Sequence, residues 1–435
     1  MTPNKRVLLF ATKLGYQTRS FQAAADRLRV EIAYVTDRCS HLDDPWNDRA
    51  LPVHFELPEG AAAKILESQG GLPVDGILAV GDRPSVTAAY VARGLGLPHN
   101  HPASVEACRS KLRMREVFRG AGVPVPWFQT VKLEPLPEPA LLGIHYPCVL
   151  KPLSLSASQG VVRANHRDQF VAGAARLKRL LDSPEVRATR EPHLDQMLVE
   201  GYLEGREVAV EGLLTNGELR VLAIFDKPDP LEGPYFEESI YVTPSQLSEP
   251  DQRAIASSFA NAVRALGLSH GPVHGEFRLN PQGVWPIEIA ARPIGGLCAR
   301  ALRFVVPGEA APIGLEELLL RHALELPGYD SPRETQASAA MMIPVPHSGI
   351  LDRVEGEEQS RATPGITSLE ITARLHDFIA AWPEGSSYLG FLFARAATSA
   401  EAEQALREAH RQLRFTLTPR LPVEHPLSHK LPSAP

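Results

Sequence analysis

The stretch GPVHGEFRLNPQGVWPIEIAARPIGG, residues 271–296, limits the fold more than any other part of the chain. Two runs rich in β-formers flank Pro281-Gln282-Gly283, the pattern of a hairpin. With Gly283 in the left-handed position of a three-residue loop, Asn280 faces Val284, Leu279 faces Trp285 and Phe277 faces Ile287. That register sets Glu276 directly opposite Glu288. Like charges across a strand pair, with Cβ atoms roughly 5 Å apart, destabilise a sheet. A cation between them resolves the conflict, and all-oxygen ligation completed by phosphate oxygens suits Mg²⁺. Taken alone, such a pair is as readily two solvated edge residues. Arg292 and Gly295-Gly296 follow at once, adding a fixed cation and free backbone N–H groups, and favour a site.

A second stretch, HYPCVLKPLSLSASQGVV at 145–162, has the same character. Cys148, Val149 and Leu150 read as a buried strand ending in Lys151. A buried ammonium requires an anion, and the loop that follows, with Ser154, Ser156, Ser158 and Gly160, can turn N–H and O–H groups toward negative oxygens. Lys111, Glu200 and Glu207 read by themselves as surface charges, and His274 as a satisfied core histidine as readily as a ligand.

Along the rest of the chain, residues 1–100 alternate short strands (Arg6–Phe10, Ile32–Val35, Asp75–Val80) with helices (Phe21–Leu28, Val86–Leu95), which predicts a parallel sheet wrapped by helices. No GxGxxG follows the first strand, so a dinucleotide site there is not expected. One helix is expected over Ser104–Gly120 and another over Asp168–Leu181, then strands at Met197–Leu203, Arg206–Leu214 and Glu218–Phe225, the last two joined by the Asn216-Gly217 turn. Beyond residue 335 the runs AAMMIPVP, SLEITARL, YLGFLFARA and RFTLT, with a helix opened by the capping box Thr398-Ser-Ala-Glu401, indicate a small α+β unit.

The chain's 435 residues carry a formal charge of −6, with 44% hydrophobic residues, and nothing in that balance favours nucleic acid. No apolar run reaches the ~18 residues a membrane span needs, and the first apolar stretch is too short for a signal peptide. Cys39, Cys108, Cys148 and Cys298 form no CxxC pair, so a cytoplasmic protein with free thiols is expected. HExxH and GxSxG are absent, leaving zinc hydrolysis and serine-esterase chemistry without support.

Taken in order, CRSKLRMREVFRGAGVPVPWF, YPCVLKP, SLSASQG, LVEGYLEGREVAVEG and the pair Glu276/Glu288 before AARPIGG resemble the ATP-grasp superfamily of carboxylate–amine ligases. The stretch from MMIPVPHSGILDRVEG to ALREAH is similar to the closing domain of bacterial L-amino acid ligases. The resemblance implies an α/β and α+β fold. Its parts would be a Rossmann-like N-terminal domain (1–103), an ATP-grasp domain of two lobes (104–330), a C-terminal α+β domain (335–420) and a flexible tail (421–435). It implies that Lys111 and Lys151 contact ATP phosphates under a lid formed by Ser156, Ser158 and Gly160. Glu200 and Leu203 would lie on the adenine-reading hinge and Glu207 at the ribose. Glu276 and Glu288 would carry Mg²⁺ (or Mn²⁺), and Arg292, with Glu288, would serve catalysis by steadying an acyl phosphate. Glu238 and Tyr241, in FEESIYVTPS, would meet the amine beside Gly295 and Gly296. Two departures stand out: Ala290 replaces the asparagine frequent before the arginine, and no Gly-His follows the acidic residue of the amine pocket. The function implied is ATP-dependent joining of a carboxylate to an amine, with small-molecule substrates, no nucleic-acid or membrane partner, and a homodimer as the candidate assembly. The rivals are an ATP-grasp enzyme of another substrate class and a non-catalytic ATP-binding protein.

Overall fold

The computed structural model describes residues 5–12, 17–37, 50–68, 73–138 and 143–419; Cys39 and the expected tail, 421–435, lie outside them. Near the N-terminus four strands form a parallel sheet in the order Leu51–Pro52, Glu31–Thr36, Arg6–Ala11, Gly76–Val80. The run Val7-Leu-Leu-Phe10 is apolar at every position because both faces are covered. Val7 and Leu9 pack with Phe21 and Ala24 on one side, and Leu8 and Phe10 with Ile65 and Val91 on the other.

A second, antiparallel sheet has the order Phe128–Lys132, Gln196–Gly201, Cys148–Pro152, Val162–Ala164. The helix Arg167–Leu181 covers it with Phe170, Ala174, Leu177 and Leu181, the face its spacing predicts. The third sheet has eight strands, all antiparallel: Gly283–Ala290, Gly271–Asn280, Arg206–Thr215, Glu218–Asp226, Ile240–Thr243, Ala337–Ile343, Gly390–Ala396 and Ile366–Ile371. It runs unbroken from the carboxylate hairpin into the C-terminal strands. Asn216 and Gly217 take the turn at φ 52° and 88°. The capping box of Thr398 and Glu401 forms, and the helix it opens, Ser399–Gln412, buries Ala402, Ala405, Leu406 and Ala409 against that sheet.

Two local expectations are corrected. The single helix over Ser104–Gly120 is two, Pro102–Arg109 and Lys111–Gly120. Ser110 between them is extended (φ −95°, ψ 110°), and its hydroxyl accepts the Arg113 N–H at 3.3 Å as an N-cap. The hairpin loop is also tighter than expected. Asn280 pairs with Gly283, Leu279 with Val284 and Phe277 with Pro286, so the turn holds two residues. Pro286 has no N–H to give a ladder, and a bulge at Ile287 absorbs the extra residue. The bulge restores the predicted pairing of Glu276 with Glu288.

Behind the parallel sheet, His99, His270 and His322 line one small cavity. Burial holds His322 neutral, its pKa lowered to about 4 with help from His270 and Arg220, while burial likewise lowers His99 to about 4. The unfolded chain takes up these protons below ~6.5 and the folded chain does not. The stability they contribute is therefore whole above pH 6.5 and falls away as pH drops toward 4. His322→Gln, which can still meet the Thr215 hydroxyl now 2.9 Å from Nε2, is expected to lose about 2 kcal/mol less than wild type between pH 7.5 and 5. Urea melts at the two pH values check this, and parallel losses would contradict it.

Candidate active site

A cavity of about 630 Å³ lies between the antiparallel four-stranded sheet and the carboxylate hairpin; Lys111, Lys151, Ser158, Glu200, Leu203, Glu207, Glu276 and Glu288 all line it. The break at Ser110 places Lys111 on the first turn of its helix, where its N–H donates to the Leu153 carbonyl at 3.2 Å and Nζ reaches the Leu155 carbonyl. The anion that Lys151 meets is Glu200. That carboxylate is buried and also takes Nε of Arg115 at 2.9 Å. Burial alone would raise the Glu200 pKa, but the two cations outweigh it and lower it to about 2. Glu200 is thus an internal tie and not a surface charge. Leu203 gives its carbonyl to Nη1 of Arg278 at 2.6 Å, while its N–H makes no hydrogen bond among the described residues. Glu207 accepts from Arg278 at 2.9 Å and from Lys227 at 2.9 Å.

The facing carboxylates differ in their surroundings. Glu276 lies 3.6 Å from Lys227 and 3.7 Å from Nε2 of His274. Burial works against its charge, yet those cations keep it ionised well below the usual range. His274 is satisfied as a core residue, its Nδ1 3.0 Å from the fully buried Glu211; burial opposes its charge, but Glu211 and Glu276 raise its pKa to about 9. The Glu288 carboxylate has no hydrogen bond or ion pair among the described residues, and Glu288 lines both this cavity and its neighbour. An unpaired carboxylate opposite an ionised one is a donor set that fits a hard divalent cation.

Arg292 is forked onto Asp82, with Nε–Oδ1 2.8 Å and Nη2–Oδ2 3.2 Å, so the segment following the hairpin is held to the parallel-sheet unit. Burial would lower its pKa, but Asp82 keeps it raised. The loop over Ser156–Gly160 is docked on a segment more than two hundred residues away. Trp382 Nε1 donates to the Ala157 carbonyl (3.1 Å), Gln159 Nε2 to Glu384 (2.7 Å), and the Gly160 N–H to Pro383 (2.8 Å). Gly160 is required here: φ is 74°, and a Cβ would meet Leu177 and Leu180 at 2.9 Å.

Residues 144–301 match the ATP-grasp domain family, and residues 341–418 match the L-amino acid ligase C-terminal domain 2. The fold is similar to the crystal structure of an L-amino acid ligase from Bacillus licheniformis, with a TM-score of 0.79 and 25% identity over 96% of this chain and 100% of that one. The chain is an ATP-grasp ligase. Similar sequences include the alanine–anticapsin ligase of Bacillus subtilis, 27% identical over 63% of this chain and 60% of the relative. An ATP-grasp enzyme of Aspergillus fumigatus is 25% identical over 81% of this chain and 67% of its own.

In the ligase a second cavity, about 1360 Å³, adjoins the first and shares Ser158, Glu276 and Glu288 with it. It gathers Ser156, Glu238, Tyr241, Arg292, Gly295 and Gly296. The expected residues therefore fall in two adjoining groups, except Gly160, which lines neither cavity and packs against Leu177 and Leu180. Gly296 is tight: at φ 60°, a Cβ would meet the Phe391 ring at 3.0 Å. Glu238 already has a cation, its Oε1 taking the ammonium of Lys227. Burial pushes the Glu238 pKa up to about 7, partly offset by Lys227. Glu207, Glu238 and Glu276 offer oxygens within 4.8 Å of one another, and Lys227 sits among them.

Three members of the ligase's site escaped the sequence reading. Lys227 lies just past the apolar strand run VLAIF, separated from it by Asp226, a signal close to the lysine at the end of CVL that marks Lys151. Arg115 follows Met114 and precedes Phe118, and a charge among buried neighbours on one helix is its sign. Asp82, opening a helix after Gly81, carries no local signal for a partner 210 residues on.

Proposed function

We propose that this ATP-grasp ligase activates a carboxylate as an acyl phosphate and joins it to an amine, with an amino acid among its substrates. The observation that carries the reading is the meeting of two cavities at one carboxylate pair. ATP in the smaller cavity would place its phosphates at the border, beside Lys111 and Lys151 and under Ser156, Ser158 and Gly160. The unpaired N–H of Leu203 suits the adenine edge, and Glu207 the ribose. A substrate carboxylate oxygen in the larger cavity attacks the terminal phosphorus and ADP leaves. The amine nitrogen then attacks the acyl carbon, loses its proton, and phosphate departs. Arg292, immobilised by Asp82, would hold the negative charge that develops on the acyl oxygen. Glu276 and Glu288 would hold Mg²⁺ or Mn²⁺, which supplies charge neutralisation between phosphates. The amino-acid reading is supported by the relatives named for alanine–anticapsin and L-amino acid ligation. We further propose that the functional units follow the expected division, with 1–103 and 335–420 flanking the ATP-grasp portion.

An assay of ADP and phosphate release over a panel of amino acids, singly and in pairs, tests the reading. Release that requires both an acid and an amine is expected, and release indifferent to either would refute it. Glu238→Ala is expected to raise KM for the amine at least about tenfold, the worth of one charge-assisted contact, with KM for ATP little changed. Equal KM values for every substrate would leave Glu238 merely the partner of Lys227.

A further inference from the structure

A third opening, of about 1640 Å³ and sharing no lining residue with the two cavities of the proposed site, lies where the helix Thr18–Leu28, residues 300–321 and the last strands of the large sheet meet. Five arginines line it: Arg27, Arg300, Arg303, Arg321 and Arg395. Three are matched. Arg27 lies 2.8 Å and Arg321 2.9 Å from Glu317, and Arg300 lies 3.0 Å from Glu370. The other two are not. Arg303 is exposed and has no side-chain hydrogen bond or ion pair among the described residues. Arg395 is 13% exposed; its Nη1 takes Glu334, but Nη2 is buried with no acceptor.

The topology explains the crowding. The Glu334 N–H donates to the Arg303 carbonyl at 2.9 Å, and Phe304 bridges Arg333, so residues 303, 333 and 334 lie on adjoining strands. Glu334 then reaches across to Arg395 in the large sheet. Burial, followed by the positive charges of Arg303 and Arg333, lowers the Arg395 pKa to about 10. Of these three neighbouring guanidiniums the Glu334 carboxylate pairs with that of Arg395 alone, and an orphaned buried N–H is costly until an acceptor arrives. A guanidinium presents paired N–H groups that match the oxygens of phosphate or carboxylate.

We propose that this opening binds a polyvalent oxyanion of the phosphate class, held between Arg303 and the unfilled side of Arg395. The anion would complete the hydrogen bonding of Arg395 and tie the strand Arg303–Phe304 to the strand Gly390–Ala396.

Thermal melts of the full-length protein test it, with inorganic phosphate compared against chloride at equal ionic strength and a non-hydrolysable ATP analogue with Mg²⁺ filling the nucleotide cavity. Phosphate is expected to raise Tm and acetate to leave it unchanged. Arg303→Ser, a surface change that leaves turnover and the melt in chloride unaltered, should raise the half-effective phosphate concentration at least about tenfold. Arg395→Lys, which can keep the Glu334 pair but lacks the second N–H, should do the same. Absence of a shift, an equal shift in wild type and both variants, or an equal shift with acetate would each overturn the proposal.

Discussion

Glu288→Gln is expected to lower turnover at least about a hundredfold while ATP still binds measurably. The carboxylate makes no hydrogen bond or ion pair among the described residues, so the isosteric amide removes charge without breaking a contact. Glu276 opposite it then faces a neutral group, and a hard divalent cation loses one of two anionic ligands. Metal neutralisation of phosphate charge contributes several kcal/mol at the transition state, and each ~1.4 kcal/mol is tenfold in rate. ADP release measures the loss, calorimetric titration with ATP the retained binding, and a melt the unchanged fold. Turnover close to wild type would remove Glu288 from the metal site.

The second large effect is on stability. Arg115→Met is expected to cost about 3 kcal/mol or more in urea unfolding, because removing one partner leaves a buried charge short of compensation. Arg115 and Glu200 are each 3% exposed in their side chains, and Lys151 alone would remain to hold the carboxylate. The same guanidinium donates to the carbonyl of Ile287, the residue the bulge leaves unpaired (2.9 Å), and to that of Pro286 beside it (3.5 Å). The substitution therefore loosens the hairpin that aims Glu288, and turnover should fall with stability. Arg115→Lys should recover part of the Glu200 pairing without the fork to the bulge. A change within about 0.5 kcal/mol, the size of an ordinary surface substitution, would mean that Lys151 suffices.

These two cases show what was legible in the chain. The pairing of Glu276 with Glu288 could be read because a hairpin's alternation is local and period two leaves few registers. The bulge that sustains it could not, since Arg115 lies 171 residues from Pro286 in sequence. Strands and helices with continuous apolar periodicity, such as Arg167–Leu181, were found nearly to the residue. The break at Ser110 was not, because Lys111-Leu-Arg-Met continues a helical pattern in both directions and only the serine's cap marks the boundary. Ion pairs between residues far apart in sequence, Arg292 with Asp82 and Lys151 with Glu200, decide the electrostatics of the site and leave no mark in local spacing.

The docking of the loop over Ser156–Gly160 on Trp382, Pro383 and Glu384 ties two kinds of selectivity together on the proposed reading. Ser386 and Tyr388, a few residues further along the same segment, line the larger cavity, and the Trp382 and Tyr388 rings lie 4.8 Å apart. On the proposed reading, a substitution that reshapes the acceptor pocket at Tyr388 shifts the support under Ala157 and so alters nucleotide exchange. Acceptor choice and the rate of ADP departure are then not independent traits. A descendant of this chain that adopts a new amine must retune both at once, and the segment from Trp382 to Tyr388 is where that joint constraint is written.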